Sequence, residues 1–157
     1  MKNITYKNTN TKTKHCFSDF ISLIHILTIL GHKKQAMSSA EIGKNVDINP
    51  VKVREILRTL DETNWIKKTR GRDGGYQLAV NLSEIKLSKL LDLLNLNLIN
   101  NSWFSGMQNS NCIISKNIQA VEQELITSLN NLIYLELSRK NLAQFESEIL
   151  KKGQANE

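Results

Sequence analysis

Proline is almost missing from this chain: Pro50 is the only one in 157 residues, and glycine occurs seven times. With so few helix breakers, most of the chain is expected to be helical. Cysteine is equally scarce. Cys16 and Cys112 are the only thiols, which excludes the disulfide framework of a small secreted domain. Long apolar runs are missing as well. The first apolar stretch, Phe17 to Leu30, is interrupted by Ser18, Asp19, Ser22, His25 and Thr28. It is too short and too polar to span a bilayer. The chain starts with polar residues and shows no signal-peptide pattern, so a cytoplasmic protein without membrane attachment is expected. Acids are absent from the first fifteen residues, which carry Lys2, Lys7, Lys12 and Lys14. Residues 1–14 read as a flexible basic tail.

Hydrophobic residues make up 40% of the chain, enough for a packed core. The net charge is +6 and is unevenly spread. Between positions 44 and 72 stand Lys44, Lys52, Arg54, Arg58, Lys67, Lys68, Arg70 and Arg72 against Asp47, Glu55, Asp61 and Glu62, whereas from Ala120 onward acids outnumber bases. A basic N-terminal half fits a polyanionic partner better than a uniformly solvated surface does.

The spacing of Phe17, Phe20, Ile21, Ile24 and Leu27 predicts a first helix over 17–30, with Gly31 ending it. Ser38 followed by Glu41 is a capping box, opening a short helix with Ile42 and Val46 inward. Asn49-Pro50 is a second helix start. The helix it opens is predicted to reach about Thr63, with Val53, Ile56, Leu57 and Leu60 inward and Val51, Arg54, Glu55, Arg58 and Glu62 outward. Two short helices joined by a tight turn form a helix-turn-helix. Next, Trp65–Arg70 and Tyr76–Val80 read as two strands around the glycine-rich turn 71–75. They form a hairpin with a basic tip, a wing. Leu87–Leu94 reads as another helix and 95–111 as an Asn-rich loop. A long helix is expected from Cys112 to about Ser138, where Ile114, Ile118, Val121, Leu125, Leu129 and Leu132 form a narrow stripe of the kind that seals helix pairs between subunits.

The expected fold is mainly α with a small β wing: a winged helix-turn-helix DNA-binding domain (15–95), a loop (96–111), then a dimerisation helix and C-terminal helix (112–150). A helix start fits the major groove. There Asn49, Val51, Arg54 and Glu55 would face base edges. Arg bonds guanine in a bidentate way, Glu accepts from cytosine and Val touches a thymine methyl. Lys52 and Arg58 would meet phosphates, which position without reading sequence. Arg70 and Arg72 at the wing tip would enter the minor groove. Solvated surface charge is the plainer alternative. The glycine-rich turn lacks the spacing of a phosphate-binding loop, and a hairpin turn accounts for it.

The run INPVKVREILRTLDETNWIKKTRGRDGGYQL, with its Asn-Pro-Val helix opening and Arg-Gly…Gly-Gly-Tyr wing, resembles the Rrf-two family of winged-helix regulators. So does the later Asn-Cys…Asn-Ile before the long helix; the resemblance covers about Phe17 to Phe145. It implies a homodimer on double-stranded DNA with a palindromic operator. It also implies that Asn49, Val51, Arg54, Glu55 and Arg70 face that DNA. Cluster-binding members of the family carry three cysteines in the loop before the long helix, where this chain has only Cys112. One thiolate cannot replace the four ligands an iron–sulfur cluster takes, so a cluster-free member with no cofactor is expected, and the loop becomes a sensor loop without one.

Cys112 at a helix start would have a lowered pKa and could sense oxidants, or it could be a small buried apolar residue. Cys16 reads as a packing or surface residue, and a Cys16–Cys112 disulfide depends on geometry. His15 beside Cys16 is a poor metal signal, with no further ligand at a useful spacing. Trp103 and Phe104 would pin the loop to its own core, or else line a small-ligand pocket or cover a partner. The function expected is a sequence-specific, repressor-type regulator modulated through Cys112. The alternatives are a ligand-responsive or constitutive regulator, and a winged-helix protein-docking module. No paired nucleophile and base, metal set or cofactor fingerprint suggests an enzyme.

Overall fold

A computed structural model describes residues 15–71 and 74–155. The basic tail 1–14 and Arg72 lie outside these residues. The order is α1 (Phe17–Lys33), α2 (Ser39–Val46), α3 (Pro50–Arg58), β1 (Ile66–Thr69), β2 (Gly75–Leu78), a single 3-10 turn (Leu82–Glu84), α4 (Leu87–Leu94), α5 (Ile113–Arg139) and α6 (Leu142–Gln154). The chain is mainly helical with one small antiparallel hairpin, the winged helix-turn-helix expected from its pattern.

Helix α1 runs through the centre. Phe20, Leu23, Ile24, Ile26, Leu27 and Leu30 are buried on it, while Phe17 and Ile21 are exposed. Gly31 does not end the helix, which continues to Lys33 and closes on Lys34 in a left-handed conformation. Gly31 serves close approach instead. A Cβ there would lie 2.5 Å from Leu82 Cγ, so the glycine lets the 3-10 turn seat Leu82 against α1.

The capping box of α2 forms as expected: Glu41 N donates to Ser38 Oγ (3.2 Å) and Ser38 N to Glu41 Oε2 (2.7 Å). Asn49 caps α3 by accepting from Val51 N at 2.8 Å. Val53, Ile56, Leu57 and Leu60 are buried, as the pattern requires, but α3 stops at Arg58. Beyond it the chain tightens into turns. Thr59 and Leu60 donate three residues back, and the Thr59 and Thr63 hydroxyls bond the carbonyls of Ile56 and Leu60. Two threonines in five residues offer the backbone an alternative to the helix ladder.

In the wing, Ile66 pairs with Leu78, Lys67 with Gln77, Lys68 with Tyr76 and Thr69 with Gly75. Gly71 takes φ 112°, the positive value a tight hairpin turn demands. The return strand is also pinned near its turn end: Met37 N donates to Tyr76 O (3.0 Å) and Tyr76 N to Met37 O (2.8 Å). That bridge ties the wing to the segment entering α2.

Helix α5 differs from the others in having no buried residue along its 27 residues. The loop 95–112 lies along it. Asn130 clamps the loop by accepting from Ile99 N (3.0 Å) and donating to Ile99 O (2.8 Å). Ser105 N donates to Glu122 Oε2 at 3.0 Å. Trp103 does not pin this loop to a core: it is 71% exposed, while Phe104 is partly buried. Helix α6 folds back onto α1 and buries Leu142, whose N–H donates to Ile85 O at 3.0 Å. Among the described residues no helix is long and apolar enough to cross a membrane.

Candidate DNA interface

The exposed face of α3 begins at its first turn. Asn49 leaves the turn from α2 with its side chain committed to the cap. Val51 follows, 62% exposed although it is apolar. Arg54 and Arg58 lie on the same exposed face, and Arg54 Nη1 donates to Ser39 Oγ (2.8 Å) at the start of α2. This bond links the two helices across their outer surface. Arg70 is exposed at the end of β1, on the approach to the hairpin tip. Along the strand, Lys68 is paired with Asp61 and stands 5.7 Å above the Tyr76 ring. Val51, Arg54, Arg58 and Arg70 therefore present an apolar contact and three guanidinium groups from a helix and a hairpin, without competing acids paired to them among the described residues.

Lys52 and Glu55 are placed differently. Lys52 Nζ lies 2.9 Å from Asp19 Oδ1 on α1 and 3.3 Å from Glu55 Oε1. Asp19 is 2% exposed. Burial pushes its carboxyl up, but hydrogen bonds from Lys52, His15 and the Cys16 backbone outweigh this and hold it below its ordinary value. Burial likewise works against the Lys52 ammonium, and Asp19 and Glu55 more than restore it, so its pKa is raised. Sequence reading missed Asp19. The signal was present: Asp19 precedes the buried Leu23, Ile26, Leu27 and Leu30 by four, seven, eight and eleven residues, which puts it on the core stripe.

Both cysteines are free, exposed helix caps. At the start of α5 the backbone N–H groups of Ser115 and Ile114 hold the Cys112 thiol below the ordinary cysteine range. Cys16 is also lowered, chiefly by the Ser18 hydroxyl 2.9 Å away. Of the histidines, His15 bonds Asp19 at 3.0 Å and His32 bonds Glu146 at 2.9 Å, while His25 is exposed. Among the described residues no three His, Cys, Asp or Glu side chains stand together as metal ligands would.

Residues 18–148 match the Rrf2 family, described as iron-dependent transcriptional regulators. The fold is similar to that of a candidate transcriptional regulator from Lactobacillus plantarum, at TM-score 0.72 and 23% identity, over 88% of this chain and 98% of that one. IscR of T. potens is similar at TM-score 0.60 and 16% identity, covering 88% and 89%. CymR, the global cysteine regulator of B. subtilis, gives TM-score 0.60 and 16% identity over 87% and 98%. No curated protein sequence matches the chain. The family match takes in the helix-turn-helix, the wing and the long helix together, and the chain belongs to the Rrf2 family of transcriptional regulators, which are DNA-binding proteins and not enzymes.

Proposed function

We propose that this protein is a homodimeric, sequence-specific repressor that binds a palindromic operator through α3 and the wing. The observation that carries this reading is the uncovered start of α3, where Val51, Arg54 and Arg58 share one exposed face. Asn49 and Glu55 flank this face, Asn49 holding the helix cap and Glu55 pairing with Lys52, and in this reading Arg70 and Arg72 grip the adjacent minor groove. The dimer is supported by α5. Ile114, Val121, Leu125, Leu129, Leu132 and Leu135 are exposed on it at steps of three, four and seven residues. So much apolar surface on one helix needs a cover, and a second copy of the same stripe is self-complementary.

In this reading the chain is a cluster-free member of the family, because a cluster takes four ligands. The loop before α5 supplies one thiol, Cys112. Cys112 takes over the signalling role as a thiol. It is exposed, its pKa is lowered by the helix start, and it sits where the loop joins the dimer helix. A two-electron oxidant such as peroxide would convert the thiolate to a sulfenic acid, releasing hydroxide. A ligand-responsive reading rests on another feature, a groove of about 500 Å³ between the loop and α5, lined by Ile99, Phe104, Ile126 and several asparagines.

Genomic footprinting of the parent and of Cys112→Ser, each under reducing and oxidising conditions, tests the proposal. The parent's footprints are expected to change with oxidation and the variant's to stay fixed. Identical footprints throughout would remove the thiol and leave the groove or constitutive binding; absence of any footprint would remove the regulator. An absorption spectrum after anaerobic purification tests the cluster claim separately, since a visible iron–sulfur band would overturn it.

A further inference from the structure

We infer that Asp19 and Lys52 form a strut that sets the pose of the base-reading helix, so that Lys52 serves recognition by positioning α3 and not by touching a phosphate. The inference rests on the proposed reading of α3 and assigns a task within it. The Asp19 carboxylate lies in the core stripe of α1. A buried charge is tolerated only when it is paired and hydrogen-bonded, and among the described residues its partners come from two places. His15 Nδ1 (3.0 Å) and Cys16 N (3.3 Å) belong to the entry of α1, and Lys52 Nζ (2.9 Å) belongs to the first turn of α3.

Three observations turn this pair into a positioning device. Lys52 already faces two carboxylates, Asp19 and Glu55, so its charge is compensated before any DNA arrives. Its neighbours Val51 and Arg54 are exposed, whereas Lys52 is half-withdrawn toward α1. Finally, α3 has only nine residues and is otherwise seated through Val53, Ile56 and Leu57. Apolar contacts hold a helix at a distance but are non-directional. A hydrogen-bonded ion pair at the N-terminal end adds the direction that a helix start must have to meet base edges.

The two roles for Lys52 predict opposite signs. If Lys52 contacted phosphate, Asp19→Asn would free its charge and strengthen DNA binding. As a strut, Asp19→Asn weakens it. The measurement uses duplexes enriched by the full-length parent from a random 30-base-pair pool, with affinity read by fluorescence anisotropy over a salt series. Asp19→Asn and Lys52→Met are each expected to weaken the enriched duplex about tenfold. The slope of log affinity against log salt should stay that of the parent. Loss of a phosphate contact would instead lower the slope by about 0.9. Lys52→Arg, which can still reach Asp19, should restore most of the affinity.

Re-selection with Lys52→Met should return a consensus broadened at the steps α3 reads. A merely structural role would lower the melting temperature and leave the consensus intact. Should Asp19→Asn fail to fold, the Lys52 variants carry the test alone. A flattened salt slope in Lys52→Met, or an unchanged consensus, overturns the strut. A parent that enriches no sequence overturns the DNA reading itself, and the strut with it.

Discussion

Arg54 carries the sharpest consequence for recognition. It is exposed, its guanidinium is steadied by Ser39, and it stands one turn into the helix that presents Val51. Arg54→Ala is expected to cost about 1–3 kcal/mol of operator binding and to relax base preference at one step. Competition binding against single-base operator variants would check it. Equal losses on every variant would make Arg54 a phosphate contact. Asp19 has a consequence for stability. Its folded pKa is depressed, so it contributes stability that is fully present above the unfolded value of about 3.9 and is lost as pH falls through the lower folded value. Acid destabilisation of the parent should therefore set in below about pH 4–5, and Asp19→Asn should show a shallower acid limb. Circular dichroism against pH separates the two.

Among the elements, α1 shows how a residue type can mislead about a boundary. Gly31 looks like a helix stop, yet it is an internal glycine facing Leu82 at 2.5 Å from where its Cβ would be. Gly31→Ala would gain about 1 kcal/mol of helix propensity and lose about 1–3 kcal/mol to overpacking. Net destabilisation is expected, and Leu82→Ala in the same chain should relieve part of it. Calorimetry of the two single variants and the double variant measures that coupling. Ser38→Ala removes the cap of α2 and should cost about 1 kcal/mol, or about 2–4 °C in Tm. The capping box, the Asn-Pro start, the wing and α4 were all legible in sequence because each rests on contacts a few residues apart. The end of α3 was not, because its stripe continues to Leu60 while the threonine hydroxyls redirect the backbone.

For the molecule as a whole, the long helix with no buried residue makes the dimer testable. Leu125→Lys together with Leu132→Lys should yield a monomer by light scattering, with α-helical content largely retained because neither residue touches the core. Operator affinity should fall steeply, since a palindrome then loses its second half-site. A dimer that persists would move the interface elsewhere, with the exposed Phe145, Ile149 and Leu150 of α6 as the next face to examine. The charge distribution adds a further expectation: binding to any duplex should weaken as salt rises, with a slope that counts the cations engaged.

Composition and spacing determined by themselves the helix order, the hairpin and the two guanidinium-bearing surfaces, because periodicity and caps are local properties of a chain. The tertiary structure decided which charges are available. Lys52 and Arg58 read alike as phosphate-facing cations of one helix, and only the fold sets Lys52 against a buried Asp19 while leaving Arg58 exposed. That pairing joins residues 33 positions apart in sequence. Its strength comes from burial, which no local pattern states, and it separates a cation already paired within the fold from those left exposed.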